Sequence, residues 1–253
     1  FLLPYFLGLF SMLCQMGLVS ATSLERVLQY QSDEVPCDPA WYLPGDEDLE
    51  KMQWPTNGNV KYVDMSLRYR PNLPPAINNV TLEISGGENV GVIGRTGAGK
   101  STLMVALFRL VDPCHGNILI DGVDIQKVGL QNLRKKIAII PQRSLILEGT
   151  IRHNLDPFSK YQDNQLKQIL VDVNLCKNLR GAEKLLRVNI GPNSNSLSAG
   201  EQQLLSIGRA LLKKDVRIVI MDEPTANIDM RTDEMVQEVI RKAFSESTVI
   251  TIA

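Results

Sequence analysis

A glycine-rich segment at residues 94–101 has the residue types and spacing of a phosphate-binding loop. It reads G-R-T-G-A-G-K-S and fits the pattern GxxxxGK[ST], in which glycines let the backbone curl so that N–H groups point at phosphate oxygens. Lys100 is expected to reach the β- and γ-phosphates of a nucleotide, and Ser101 to hold magnesium. A helix beginning near Ser101 would add the positive end of its dipole.

Two adjacent carboxylates follow an apolar run at residues 216–221, which only Arg217 interrupts. Asp222 is therefore expected at the end of a buried parallel strand, the usual place for ligands in such sheets, where it would bind magnesium through water. Glu223 would lie at the edge of the same site and orient or deprotonate the attacking water. The alternative for Glu223 is a surface salt bridge.

The elements that must position these residues follow from the hydrophobic pattern. From Asn59 onward alternation predicts a strand, with the even-numbered residues 60–66 on one face, and P-N-L-P-P marks a turn before the strand-like run V-T-L-E-I. This predicts an antiparallel lobe. Residues 89–94 are expected to form a buried strand, and the alternation of strands and helices after it predicts a parallel α/β core.

A second string distinguishes among phosphate-loop proteins, because residues 94–101 alone would also suit a nucleotide kinase, a GTPase or a motor. Residues 197–212 read LSAGEQQLLSIGRALL and residues 221–229 read MDEPTANID, which resembles the signature of ATP-binding-cassette (ABC) proteins. A serine–glycine turn at a helix start is an anion site without a lysine, with Ser198 and the N–H of Gly200 expected to be exposed. In that family the turn meets the γ-phosphate held by a partner domain.

More specifically, the chain resembles the second nucleotide-binding domain of the C subfamily, the multidrug-resistance-associated exporters. SLERVLQY, SLRYRPNLP and GRTGAGKSTL carry this resemblance. It implies that Tyr69 stacks on adenine and that Gln142, after the strand KIAII, senses magnesium and touches the coupling helices of the membrane domain. It also implies that Asp229 lies in the loop crossing to the partner domain. The alternatives are a half-buried strand tyrosine, a loop-capping amide and a helix N-cap, respectively.

The motifs and the resemblance together define the expected site, with ATP and Mg²⁺ as cofactors. Glu223, Lys100 and Gln142 are the expected catalytic residues, and Ser101, Gln142 and Asp222 the expected metal-binding residues. The residues expected to bind the nucleotide are Tyr69, Gly94, Arg95, Thr96, Gly97, Ala98, Gly99, Lys100, Ser101, Thr102, Gln142, Asp222, Ser198 and Gly200.

Two departures from the family pattern bear on activity. Ala199 and Glu201 stand where the usual LSGGQ string has glycine and glutamine, so a methyl group and a negative charge enter a site meant to approach phosphate. The family's switch histidine should follow the strand TVITIA, where the sequence stops, and neither His115 nor His153 fits that role. The isolated fragment is therefore expected to be weakly active or inactive.

The opening segment has the character of a membrane helix. Residues 1–20 carry no charged side chain, and about 20 apolar residues suffice to cross a bilayer, although Pro4 and Gln15 leave a buried helix of a soluble domain as the alternative. Helical spacing continues through residues 20–30. Residues 1–30 are thus expected to be the end of a transmembrane helix with its cytosolic extension, 31–58 a linker, and 59–253 an ABC nucleotide-binding domain truncated before the switch histidine.

Composition excludes some partners and leaves others open. Lysine and arginine number 27 against 28 aspartate and glutamate, which gives no reason to expect nucleic acid as a partner. The 4 cysteines are scattered without a zinc-site spacing. Because the first residue is phenylalanine, the chain is expected to be a fragment or a processed product.

The resulting expectation is a P-loop NTPase of the ABC cassette fold: an α/β core resembling RecA, an antiparallel β lobe, and a helical lobe between Gln142 and the signature. Two such domains would sandwich two ATP molecules head to tail and drive transmembrane domains of a multi-pass transporter from the cytosolic face. The implied function is ATP-powered export. A channel or channel regulator of the same subfamily is the alternative, whereas a soluble cassette ATPase acting on DNA or ribosomes would have no apolar helix before the cassette.

Overall fold

The computed structural model describes residues 2–31, 39–70, 72–191, 197–213, 216–222 and 230–252. The chain divides into two compact units, Phe1–Ala40 and Trp41–Ala253. Glu223 and Asp229, two of the residues singled out above, lie outside the described residues.

The first unit contains one long helix, α1 (Leu2–Gln31). Its segment Leu2–Gln29 is long and apolar enough to cross a membrane, a finding that rests on length and composition alone. A signal sequence or a core helix of a soluble protein can meet the same criterion, although none of the most apolar window is buried. The hydroxyls of Thr22 and Ser23 donate to the Val19 carbonyl at 2.9 Å, so these polar groups are satisfied within the helix.

The second unit is a mixed α/β structure. Its helices are α2 (Asp46–Lys51), α3 (Lys100–Leu107), α4 (Leu130–Lys136), α5 (Ile151–Leu155), α6 (Asp163–Asp172), α7 (Leu179–Leu186), α8 (Ala199–Leu212) and α9 (Met230–Ala243), with a short 3-10 helix at Ile125–Lys127. Its strands are β1 (Val60–Leu67), β2 (Ile77–Ile84), β3 (Asn89–Val92), β4 (His115–Ile120), β5 (Val123–Asp124), β6 (Ile137–Ile140), β7 (Gly149–Thr150), β8 (Asn189–Ile190), β9 (Ile218–Asp222) and β10 (Thr248–Ile252).

An antiparallel sheet with the strand order β2-β1-β4-β5 opens the unit, as predicted. The expected even-numbered face of β1 does not persist, however. Val60 and Tyr62 are buried, but Met65 and Leu67 are buried next, because the register shifts between Tyr62 and Met65 and Asp64 has φ +48°. Because Ser66 is buried as well, three consecutive residues are buried after the irregularity and the alternation ends at Asp64.

A parallel sheet with the order β3-β10-β9-β6 forms the predicted α/β core. The central strands are buried, as the apolar runs of β9 and β10 require for a sheet covered on both faces. The edge strand β3 has only exposed and half-buried residues and ends at Val92, so the expectation of a buried strand over residues 89–94 is wrong. Its position at the edge of the sheet explains the difference.

The helical lobe lies between β6 and the start of α8, where it was predicted. The helices α5, α6 and α7 and the small β7–β8 pair share a core with α8 that includes the fully buried side chains of Leu166, Leu170 and Leu205. This core holds α8, the helix that begins at the signature, against the segment that follows β6.

Residues 41–58, which their composition predicts to be part of a linker, belong to the second unit. The Trp54 side chain is 4% exposed and its Nε1 donates to the Ile120 carbonyl at 3.0 Å. Asp46 is buried, and its Oδ1 accepts from the Gly129 backbone N–H, 83 residues away, at 2.9 Å. The proline- and acid-rich sequence showed no period because its burial depends on distant partners.

Candidate functional site

The glycine-rich loop lies between β3 and α3, as its motif requires. Gly97 and Gly99 have φ of +82° and +87°, in the left-handed region that favours glycine. A Cβ at Gly99 would also lie 2.8 Å from the Ala76 carbonyl oxygen. Both conformation and space therefore require glycine at position 99, immediately before the first turn of α3.

The side chain of Lys100 folds back over this loop. Its Nζ donates to the Gly94 carbonyl, and a backbone turn from the Ala98 N–H to the Arg95 carbonyl, 3.0 Å, closes the loop beneath it. The ammonium group and the start of α3 thus face the same concave segment. This is the arrangement that would bind a phosphate chain.

A cleft of about 330 Å³ adjoins the loop. It is lined by Tyr69, Ala76, Arg95, Thr96, Gly97, Gly99, Lys100, Ser101 and Thr102. Tyr69 is 49% exposed, and its hydroxyl lies 3.1 Å from Thr102 Oγ1. The structure therefore brings the tyrosine expected to stack on adenine to the phosphate loop, in a cleft of the size that small-molecule ligands occupy.

The sheet register places Asp222 at the level of the loop. Val92, which precedes the loop, pairs with Ile252, and Ile252 pairs with Asp222. With about 4.8 Å between neighbouring strands, Val92 and Asp222 lie about 10 Å apart at the carboxyl edge. Ile140 pairs with Met221, so Gln142, which is exposed, follows the neighbouring strand at the same edge.

The donor set at this edge suits magnesium. A serine hydroxyl at Ser101, a carboxylate at Asp222 and an amide oxygen at Gln142 are hard oxygen ligands, and Mg²⁺ is usually held by one or two carboxylates together with phosphate oxygens and water. No group of three or more histidine, cysteine or acidic side chains that could hold a metal occurs in the described part of the chain.

The signature forms the start of α8, where Ser198 is the N-cap and Glu201 completes a capping box. The Glu201 Oε2 accepts from both the backbone N–H and the hydroxyl of Ser198 at 2.8 Å, and the Glu201 N–H donates to Ser198 Oγ at 3.3 Å. Glu201 therefore contributes a helix cap as well as a negative charge, and S-x-x-E is the sequence pattern that signals this cap.

The expected exposure of the signature holds for Ser198 but not for Gly200, which is buried. Neither residue lines the cleft beside Tyr69 and Lys100. The chain therefore contains two separate sets of predicted nucleotide-binding residues, one around α3 and one at the start of α8.

The two histidines lie away from the phosphate loop. His115 is an exposed residue of β4 whose Nε2 is 3.1 Å from Asp64 Oδ2, and His153 is an exposed residue of α5.

Comparison with known proteins identifies the chain's relatives. The sequence profile of the ABC transporter family matches residues 77–226. ABC transporter C family member 9 of Arabidopsis thaliana is 41% identical over 231 residues, and C family MRP4 of Zea mays is 43% identical over 231 residues; each match covers 91% of this chain and 15% of the relative. Bile pigment transporter 1 of Saccharomyces cerevisiae is 40% identical over 248 residues, which cover 91% of this chain and 16% of that protein.

Proposed function

The chain belongs to the ABC transporter family, and from this premise we propose that it is the second nucleotide-binding domain of a C-family exporter. In that role it binds ATP with Mg²⁺ and hydrolyses the ATP to power transport. The observation that carries the proposal is the cleft in which Tyr69, the glycine-rich loop and Lys100 lie together. The match spans only 15% of the length of these relatives, so the activity of the whole protein is part of the proposal.

Each side chain has a stated task in this proposal. Tyr69 stacks on adenine, while the backbone N–H groups of residues 94–101 and the Lys100 ammonium hold the phosphates. Ser101 and Asp222 hold Mg²⁺, which neutralises charge on the phosphates, and Gln142 senses that ion. Glu223 orients the attacking water and accepts its proton.

The start of α8 supplies the second half of a composite site. Because Ser198 is exposed and does not line the chain's own nucleotide cleft, we propose that the start of α8 faces the ATP held by a partner domain, head to tail. Because Ala199 adds a methyl group and Glu201 a negative charge, this signature would contact the γ-phosphate poorly. The two composite sites would therefore differ in ATPase turnover. A copy of this chain closing on another copy would bind ATP with little turnover.

The helix α1 supports a membrane assignment for the first unit. Its length and apolar composition, together with transporters among the relatives, favour the end of a transmembrane helix in a multi-pass protein, with the second unit on the cytosolic face. A channel or channel regulator would use the same nucleotide-binding residues. A flux measurement on the full-length protein distinguishes export from channel conduction.

The decisive experiment for nucleotide binding removes the positive charge of Lys100. Lys100→Ala should weaken the binding of Mg·ATP by the detergent-solubilised chain roughly 10- to 150-fold, because a hydrogen bond to a charged group contributes about 1.5–3 kcal/mol. Lys127→Ala, at an exposed position of the 3-10 helix, is the control and should leave the affinity unchanged. Equal binding by both variants and the parent would contradict the proposed site.

Hydrolysis is tested separately in the full-length transporter. Glu223→Gln should keep ATP binding and lower ATPase turnover on the order of 10²-fold or more, because the group removed handles the water and not the nucleotide. Glu234→Gln on an exposed face of α9 serves as the matched control. Undiminished turnover in the Glu223 variant would refute its assignment as the base.

A further inference from the structure

A buried amide joins the signature helix to the loop that carries Gln142. Gln203, on α8, is 3% exposed. Its Oε1 accepts from Ser144 Oγ at 2.7 Å, and its Nε2 donates to the Pro141 carbonyl at 3.3 Å. The Gln203 side chain therefore forms hydrogen bonds with the loop on both sides of Gln142.

Each of the two segments that Gln203 connects carries a residue with a proposed role in nucleotide binding. Pro141 and Ser144 flank Gln142, the residue proposed to sense magnesium, and Gln142 itself is exposed at the carboxyl edge of the parallel sheet. At the other end, Gln203 lies on the helix whose N-cap is Ser198. Because a helix moves as a rigid element, displacement at the loop and displacement at the signature are linked through this amide.

A second polar contact secures the same helix farther along. The Arg209 guanidinium donates to the Leu145 carbonyl, and its Nε donates to the Asn154 carbonyl at 2.7 Å. Asn154 is 1% exposed and exchanges two 2.8 Å hydrogen bonds with the backbone of Leu147. The downstream part of the loop is thereby fixed to α8 and α5, while Gln203 contacts the part around Gln142.

We propose that Gln203 is a positioning residue that holds Gln142 in place for magnesium and couples the Gln142 loop to the signature at the start of α8. The inference rests on the proposed function, because Gln142 senses Mg²⁺ only if the chain binds Mg·ATP. Gln203 touches neither nucleotide nor metal in this proposal and acts through the loop.

The contact itself is tested without nucleotide. Gln203→Leu has a similar side-chain volume but removes both hydrogen bonds, so backbone amides of residues 142–147 should exchange hydrogen for deuterium faster than in the parent chain. Gln168→Leu is the control, since Gln168 lies exposed on α6 and its amide donates to Asp172 of the same helix. Unchanged exchange in the Gln203 variant would overturn the proposal.

The positioning role is tested by the ratio of ATP affinities with Mg²⁺ and with EDTA. Gln203→Leu should reduce this ratio roughly fivefold or more while leaving the metal-free affinity unchanged, because Lys100 and the glycine-rich loop are not touched. Ser144→Ala, which removes only the hydroxyl contact, should reduce the ratio less. In the Gln203→Leu background Ser144→Ala should have no further effect, since the two changes remove one shared interaction.

The outcomes separate this proposal from the proposed function. An unchanged ratio, or affinities that fall equally with and without Mg²⁺, would overturn the positioning role. A parent chain that binds ATP without any response to Mg²⁺ would overturn it as well. A parent chain that binds no ATP would contradict the proposed function instead, and the exchange experiment would then decide whether Gln203 holds the loop. If Gln203→Leu fails to fold, Ser144→Ala carries both measurements.

Discussion

The N-termini of α3 and α8 differ in how their first turns are capped. The N-cap of α3 is Gly99, which makes no side-chain cap hydrogen bond. The N-cap of α8 is Ser198, which shares a reciprocal capping box with Glu201. In both helices the backbone N–H groups of the first turn lack partners within the helix. Of the two N-termini, that of α3 lines the cleft with Lys100 and that of α8 does not.

The difference shows that a helix N-terminus can bind phosphate when no side chain caps it, and binds phosphate less well when an acidic side chain does. At α3 no side chain caps the first turn, so the helix dipole can act on an external anion, and glycine keeps the approach open. At α8 the Glu201 carboxylate accepts from the Ser198 N–H and hydroxyl, so the chain's own anion occupies the groups that a partner's γ-phosphate would need. Charge and hydrogen bonding thus both favour the first site.

The largest effect is expected when the signature residues 199 and 201 are changed to those of the usual LSGGQ string. Ala199→Gly combined with Glu201→Gln should raise the ATPase turnover of the full-length transporter, on the order of 10²-fold at the composite site this signature closes, if one transition-state contact is regained. Glu238→Gln on α9, at an exposed position, tests the effect of removing one negative charge elsewhere. If turnover did not change in the double variant, the capped signature would not be the cause of the inequality.

A second test sharpens the role of the α3 cleft. Tyr69→Ala should weaken ATP binding by the chain by about 1–3 kcal/mol, whereas Tyr69→Trp should retain it, because stacking depends on an aromatic face. Tyr69→Phe should also keep the stacking and lose only the contact with Thr102 Oγ1. Equal affinities of all these variants would make Tyr69 a half-buried strand residue without a binding role.

The smallest expected effect concerns the uncapped start of α3. Gly87→Ala and Gly99→Ala both place a side chain in the left-handed region, which costs roughly 1–2 kcal/mol of folding free energy. Only Gly99→Ala also crowds the Ala76 carbonyl, since a Cβ at Gly87 meets nothing within 4 Å. Chemical unfolding should show a larger loss for Gly99→Ala, and ATP binding should weaken in that variant alone.

Local patterns were enough to predict much of the site. The glycine-rich loop, the strand before it and the helix after it follow from residue types over a short stretch, because the turn needs glycines and the helix begins immediately after them. The apolar run of β9 likewise located Asp222 at the end of a buried strand. The capping box of Ser198 and Glu201 is also encoded locally, as S-x-x-E.

The parallel core, the phosphate loop and the apolar α1 could be predicted from the sequence, because each depends on the period or composition of contiguous residues. Three features became visible only in the folded chain: Trp54 and Asp46 belong to the second unit, β1 loses its alternation at Asp64, and Gln203 contacts the loop around Gln142. Those features depend on partners far apart in the chain, such as Pro141 for Gln203 or Ile120 for Trp54. A hydrogen bond between distant residues leaves no period in either segment, so it can be known only once the fold has brought them together.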